Sequence, residues 1–344
     1  MTLPPVVATR LKRGVVIPAH PLALDARRRF DERHQRALTR YYLAAGAGGL
    51  AVGVHTTQFE IHDPKVGLLC PVLELAADTA RETRRQAPVM VAGVIGTTRQ
   101  ALREARMARD LGYHLALVSL AAFPSAGDAT MVKHLRRVGE VLPVMGFYLQ
   151  PAVGGRELSY DFWRGVLEIE TMAAIKVAPF DRYRTAEVLR AVADSGRRDV
   201  ALYTGNDDHI VLDLVTPPSG GRTRFVGGLL GQWAMWTSKA VDLLAQCHAA
   251  RRSGPVPRSL LHTAADLTDA NGAIFDAANG FAGCLSGIHE VLRRQGLLQG
   301  TWHLDSSLSM SRGQVREIDR VLEAYPRLLD DDFVLRHLDE WLRP

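Results

Sequence analysis

Eight short apolar runs recur along this chain, each followed by a longer and mostly amphipathic segment, and nothing else in the sequence restricts the fold so strongly. The runs are GVVIPA (14–19), GLAVGV (49–54), PVMVAG (88–93), HLALVS (114–119), PVMGFY (143–148), MAAIK (172–176), DVALYT (199–204) and TRFVGG (223–228). They are apolar nearly throughout rather than alternating, which marks strands covered on both faces, as in a parallel sheet. Between them stand helix-like stretches such as RRFDERHQRALTRYYLAAG, ELAADTARETRRQ, TTRQALREARMARDLG and RTAEVLRAVADSG. Several of these close on a glycine suited to a helix C-terminus. Eight β-then-α units predict a (β/α)8 barrel of the TIM type. A doubly wound open sheet is the alternative, weakened because no GxGxxG follows the first run. The eighth helix is expected from about Gln232 to Arg251, and RRSGPVPRS (251–259) reads as a linker. After it, LLHTAADL, FDAANGFAGCLSGIHEVLRRQG, RGQVREIDRVLEAYP and DFVLRHLDEWL predict only helices. The expected organisation is a barrel over residues 1–251 with a C-terminal helical extension over 252–344.

Bulk properties narrow the functional classes. A hydrophobic content of 47% with 23% charged residues is ordinary for a globular protein. No apolar run reaches the roughly 18 residues that span a bilayer, and MTLPPVVATRLKRG lacks a signal-peptide core. No membrane partner and a cytoplasmic location are therefore expected. Cys70, Cys247 and Cys284 lie far apart without CxxC or Cys/His spacing, which fits reduced, buried thiols. The net charge of +5 comes from arginines spread over helices such as RETRRQ and LRRVGE. With no basic patch interleaved with aromatics, no nucleic-acid partner is expected.

In such barrels the active site is built from the carboxyl ends of the strands. Those ends carry His20; His55, Thr56 and Thr57; Tyr148; Lys176; Gly205, Asn206, Asp207, Asp208 and His209; and Gly227 with Gly228. Lys176 is the odd residue, a lone charge inside the apolar run MAAIKVAPF. The chain has only five lysines against 37 arginines, so it uses arginine where it needs a generic positive charge. A guanidinium stays protonated, whereas a desolvated lysine can lose its proton and attack a ketone. A lysine at the strand end, paired with a carboxylate, is the competing explanation. Tyr148, on the neighbouring strand, can hand protons in and out or be a core tyrosine with a satisfied hydroxyl. Thr56 and Thr57 offer hydroxyls and turn amides to a carboxylate.

These residues carry a resemblance. The chain from about residue 14 to 325 resembles the dihydrodipicolinate synthase/N-acetylneuraminate lyase family of class I pyruvate-dependent aldolases. FYLQP and AAIKVA look like that family's Y-N-x-P and I-K motifs, VGVHTTQ like its G-T-T-G-E turn, TGNDD like its S-G-D-D segment, and GCLSGIHEVLRRQGLL like its late helix. The resemblance implies that Lys176 forms a Schiff base with a 2-keto acid, that Tyr148 relays protons, and that Thr56 and Thr57 hold the substrate carboxylate. His55, His20, Gly205 and Gly227 complete the expected substrate site. It further implies a 2-keto acid and an aldehyde as small-molecule partners, no cofactor, and assembly as a homo-oligomer, a tetramer or dimer. Departures from the family pattern point away from the lysine-biosynthesis reaction and toward another 2-keto acid, sugar-derived or aromatic. His55 stands at the family's glycine, Gln58-Phe59 at its Gly-Glu, Ala121 and Ala122 at its inter-subunit tyrosine pair, Val153 at its arginine and Val177 at its acidic residue. His55 or His20 could then serve as the proton relay. Two readings compete: a divalent-metal site from His20, His55, Asp207, Asp208 and His209, and a barrel that binds a keto acid without turning it over.

Overall fold

The computed structural model describes residues 2–82, 87–216 and 223–343; the end of the ELAADTARETRRQ stretch, 83–86, lies outside the described residues. Eight strands run parallel in chain order: β1 (Val16–Pro18), β2 (Gly49–Val52), β3 (Val89–Val94), β4 (Leu115–Val118), β5 (Val144–Leu149), β6 (Met172–Ala178), β7 (Ala201–Thr204) and β8 (Phe225–Leu230). β8 returns to pair with β1. A bridge between Ala19 and Ala51, and a hydrogen bond from the His20 N–H to the Ala51 carbonyl at 2.8 Å, draw β1 against β2. The result is a (β/α)8 barrel.

A short helix, α1 (Pro5–Arg13), precedes the barrel, and α2 (Glu32–Ala44), α3 (Leu69–Glu82), α4 (Thr98–Asp110), α5 (Asp128–Gly139), α6 (Tyr160–Leu167), α7 (Arg182–Ser195), α8 (Ile210–Val215) and α9 (Thr237–Ser253) surround it. Their boundaries follow local chemistry. Asp31, Ser159 and Asp181 cap α2, α6 and α7 by accepting from the N–H three residues on, and Gly196 closes α7 at φ 69°. The first helix had no signal in the apolar periodicity. It plugs the barrel base, where Leu11 is buried and its carbonyl accepts from the Tyr203 hydroxyl at 2.9 Å.

Four helices follow: α10 (Arg258–Ile274), α11 (Cys284–Arg294), α12 (Gln314–Ala324) and α13 (Asp331–Trp341). Two expectations need correction. The eighth helix does not begin at Gln232: residues 232–234 form a 3₁₀ turn, and Trp236 at φ 53° breaks the path before α9 starts. The stretch 275–296 is helical only from Cys284, because Asp276, Gly280 and Phe281 all have positive φ. Among the described residues, no helix is long and apolar enough to cross a membrane.

Two separate apolar clusters fix which way each strand residue points. Ile17, Ala51, Val91, Leu117, Met145, Phe147, Ala174, Ala178 and Leu229 fill the barrel interior. Val52, Val118, Val144, Tyr148, Ile175 and Val177 pack outward against the helices. Alternation along each strand assigns one residue inward and the next outward.

Candidate active site

Lys176 lies on the inward face of β6, between Ala174 and Ala178, and is 8% exposed. Its register partner on β5 is Phe147, and the ammonium sits 4.6 Å from that ring's centroid, a cation–π contact. Gly205, after β7, makes room for the lysine stem: a Cβ there would stand 2.7 Å from Lys176 Cε. Burial pushes the Lys176 amine down to about 8, against the upward pull of the Asp207 charge. Asp207 is likewise buried, and desolvation raises its carboxyl to about 7, against the Gln232 N–H and the Lys176 charge. The Gln232 N–H donates to Asp207 Oδ1 at 2.8 Å, and Asn271 Nδ2 donates to the Asp207 carbonyl at 2.7 Å. Lys176 and Asp207 line one cavity of about 60 Å³ at the mouth of the barrel.

His55 and Thr56, at the start of the turn after β2, line the same cavity, as does Gly205. Burial, and then the nearby Lys176 charge, hold His55 down at about 4, so its ring is neutral near pH 7. Thr57 plays a different part. Its hydroxyl accepts from the Gly53 and Val54 N–H groups and donates to the His20 carbonyl at 2.6 Å, so it staples the turn instead of facing the cavity. Thr56 donates to the same carbonyl at the longer distance of 3.3 Å.

Besides Thr57, three residues expected at the site lie elsewhere. Tyr148 is adjacent in sequence to Phe147, so alternation turns it outward. Its ring packs 5.8 Å from Trp163 of α6, its hydroxyl accepts from the Leu158 N–H at 3.2 Å, and it is absent from the cavity lining. The pairing of β5 with β6 skips Ala173, since Val144 faces Met172 and Met145 faces Ala174. That one-residue shift sets which of Phe147 and Tyr148 stands beside Lys176. His20 contributes its carbonyl to the threonine turn, but its ring points into the helix layer, bonded to Thr39 at 2.8 Å and edge-on to Tyr42. Gly227 pairs with Tyr203 low in the barrel, where a Cβ would meet the Val15 carbonyl at 2.5 Å; Gly231 takes its place at the cavity.

The candidate metal ligands also diverge. Asp207 points toward Lys176 and is no helix cap, Asp208 is exposed, and His209 stands at the start of α8 without a capping bond. Among the described residues, no three His, Cys, Asp or Glu side chains are grouped to hold a metal ion. Asn206 is a strut: it accepts from the Phe180 N–H and donates to Thr185 and Asp213.

Apart from Gln150, after β5, the remaining walls are apolar. Phe147, Leu149 and Val153 come from the barrel side, Phe180 from the loop after β6, and Phe275, Phe281, Cys284 and Ile288 from the C-terminal helices. Phe180 and Phe281 stack with centroids 5.5 Å apart and planes 9° from parallel. Both have positive φ, at 50° and 69°, backbone conformations that are costly without glycine and tend to cluster at functional sites. The sequence carries no local signal for Phe281, which sits inside what reads as an amphipathic helix.

No family model matches the sequence, and no curated protein sequence matches it either. Solved structures do match. Dihydrodipicolinate synthase from Oceanobacillus iheyensis superposes with a TM-score of 0.75 at 18% identity, over 93% of this chain and 99% of that one. A prophage protein of the dihydrodipicolinic acid synthase family from E. coli K12, in complex with pyruvate, gives 0.75 at 18% identity, over 90% and 97%. N-acetylneuraminate lyase from Fusobacterium nucleatum gives 0.72 at 16% identity, over 91% and 99%. The chain therefore shares the fold of these proteins along nearly its whole length, barrel and C-terminal helices together.

Proposed function

We propose that the protein is a divergent member of the dihydrodipicolinate synthase/N-acetylneuraminate lyase family, a Schiff-base-forming lyase that acts on a pyruvate-type 2-keto acid. The observation that carries this reading is a single lysine buried among apolar groups at the barrel mouth, with its proton weakened by desolvation. A neutral Lys176 amine adds to the ketone, and loss of water leaves an iminium that draws electrons from the adjacent carbon. Thr56, with its hydroxyl and the His55 and Thr56 N–H groups, takes the substrate carboxylate, the other N–H groups of the turn being bonded within it. For aldol cleavage, a base removes the hydroxyl proton, the C–C bond breaks toward the iminium, and an aldehyde leaves. The enamine is then protonated and the iminium hydrolysed, which frees the amine.

The proton carrier in this scheme is Asp207, not Tyr148. Asp207 faces the same cavity as Lys176, keeps Oδ2 free of hydrogen bonds among the described residues, and titrates near neutrality, where a general acid–base group works best. A carboxylate within one chain also removes the need for a tyrosine lent by a neighbour at the exposed Ala121–Ala122 segment. Homo-oligomeric assembly remains an implication of the family likeness, and a monomeric dihydrodipicolinate synthase variant is among the structural matches.

The largely apolar and aromatic walls, with Gln150 as their one amide, favour an aldehyde or leaving group with a hydrophobic, flat body over a polyhydroxylated sugar, most of whose hydroxyls would go unpaired there. The decisive experiment is incubation with pyruvate and borohydride followed by intact mass and peptide mapping. A reduced pyruvyl adduct on Lys176 is the expected result. No adduct, with activity lost to a chelator, would transfer the site to metal chemistry; no adduct, with tight keto-acid binding and no turnover, would make the barrel a sensor.

A further inference from the structure

A concavity of about 690 Å³ lies at the opposite end of the barrel from Lys176. Its walls come from the end of α1, the segment leading into β7, the start of β8 and the end of α9. Lys12, Arg13, Arg197, Arg198, Arg224, Arg251 and Arg252 line it together with His248, and no carboxylate does among the described residues. The arginines that read as dispersed in sequence thus converge in space, and these seven cations outnumber the chain's whole net charge of +5.

Structural duties account for part of the cluster. Arg197 donates to the Leu167, Ile169 and Met172 carbonyls and grips Asp199 in a fork at 2.8 and 2.7 Å. Arg251 and His248 donate to the Phe225 and Val226 carbonyls at 2.9 and 2.7 Å. Basic residues in the last turns of α1 and α9 also suit the helix dipole. None of this explains Arg198 and Arg224, which stand outside any helix. Arg13, Arg198, Arg224 and Arg252 have neither ion pair nor hydrogen bond among the described residues. The cations also work against one another. Burial and then the Arg224 charge depress Arg251, while burial and then the Arg251, Arg252 and Arg13 charges depress His248. A concave, like-charged cluster of this kind is relieved by a bound polyanion, and guanidinium forks match phosphate oxygens in pairs. The volume fits a small molecule, within the usual range of about 300–1,000 Å³ for ligand pockets.

We propose that the base of the barrel is a binding site for a small phosphorylated polyanion, separate from the lysine cavity and held by Arg198, Arg224 and Arg252 around the Arg197–Arg251 wall. This site does not depend on the lyase reading, because no residue of it lines the Lys176 cavity.

The test is isothermal titration of the full chain with inorganic tripolyphosphate, in buffer of about 50 mM salt where screening is weak. One saturable site per chain is expected. The combined variant Arg198→Gln, Arg224→Gln, Arg252→Gln should weaken it by about tenfold or more, given the strength of charge-assisted phosphate contacts. A control that removes the same charge from α4 (Arg99→Gln, Arg103→Gln, Arg106→Gln) should leave binding unchanged, as should Lys176→Ala. Melting curves verify that each variant folds, and Arg224→Gln alone, expected to weaken binding several-fold, serves if the triple variant does not. Lack of saturation overturns the proposal, and so does an equal loss in the α4 control. Binding of duplex DNA that tripolyphosphate fails to displace would assign the cluster to nucleic acid instead.

Discussion

At the mouth of the barrel one ammonium is buried among alanines and phenylalanines, faced by one buried carboxylate, whereas at the base seven cations gather around an open, water-accessible concavity with no carboxylate in its walls among the described residues. The contrast separates two uses of positive charge. A desolvated lysine gives up its proton and becomes a nucleophile. Arginines stay charged in either setting, so a cluster of them can only hold an anion. The chain's choice of lysine at one end and almost only arginine at the other follows that division.

The sharpest way to break the contrast is to put an arginine at the mouth. Lys176→Arg keeps the charge and removes the amine, so borohydride trapping and turnover should both vanish, a loss of several orders of magnitude by analogy with removal of other covalent nucleophiles. Retained turnover in this variant would show that Lys176 acts only as a charge. In the wild type, adduct formation should rise with pH as the amine loses its proton through about 8. A flat profile between pH 6 and about 9 would remove desolvation as the activating device.

Asp207→Asn ranks next. The Asp207 charge raises the Lys176 pKa, so its loss should move the rising limb of adduct formation to lower pH. Trapping with pyruvate should persist, while turnover falls by about 10²–10⁴-fold, the usual range for a lost general acid–base group. The two readouts move in opposite directions only if the carboxylate both tunes the lysine and carries protons. A variant that traps and turns over normally would return the relay to another group, His55 first.

Phe281→Ala tests the mouth's apolar character. It removes the ring stacked on Phe180 and should raise KM for an aromatic aldehyde by about tenfold, in keeping with one lost aromatic contact plus its area, and leave pyruvate trapping unchanged. Equal KM values for aromatic and polyhydroxylated acceptors, in wild type and variant alike, would show that these walls do not select the substrate.

How much of this was legible in sequence follows from the same physics that builds a parallel barrel. Burial on both faces strips strands of alternation, which is why eight apolar runs could be picked out so readily. The same property hides direction, since nothing in PVMGFY says whether Phe147 or Tyr148 looks inward. Lys176 was legible because a charge in an apolar run stands out on its own. The parity of β5 was not, because it hangs on the skipped pairing of Ala173 in the neighbouring strand. His20 misled for a related reason: a strand-end histidine reads the same whether its ring enters the mouth or the helix layer. Phe275 and Phe281 arrive from a region remote in sequence, so only tertiary packing brings them to the cavity. The basal cluster likewise joins the ends of α1 and α9, about as far apart in the barrel's sequence as two segments can be.

Tyr148→Phe should have the smallest effect, and it isolates that parity directly. Among the described residues the hydroxyl's one partner is the Leu158 N–H, on the helix side of β5. Its removal leaves a buried donor without an acceptor, a destabilisation of about 1–3 kcal/mol, visible as a lower Tm. Adduct formation and turnover should stay within about threefold of wild type, since the ring still fills its place against Trp163 and no proton passes through it. If Tyr148 were the relay that the Y-x-x-P pattern suggests, turnover would instead fall by the 10²-fold or more that a general acid–base group supplies, with Tm little changed. The two outcomes differ in both observables, so one variant decides which side of the strand the tyrosine serves.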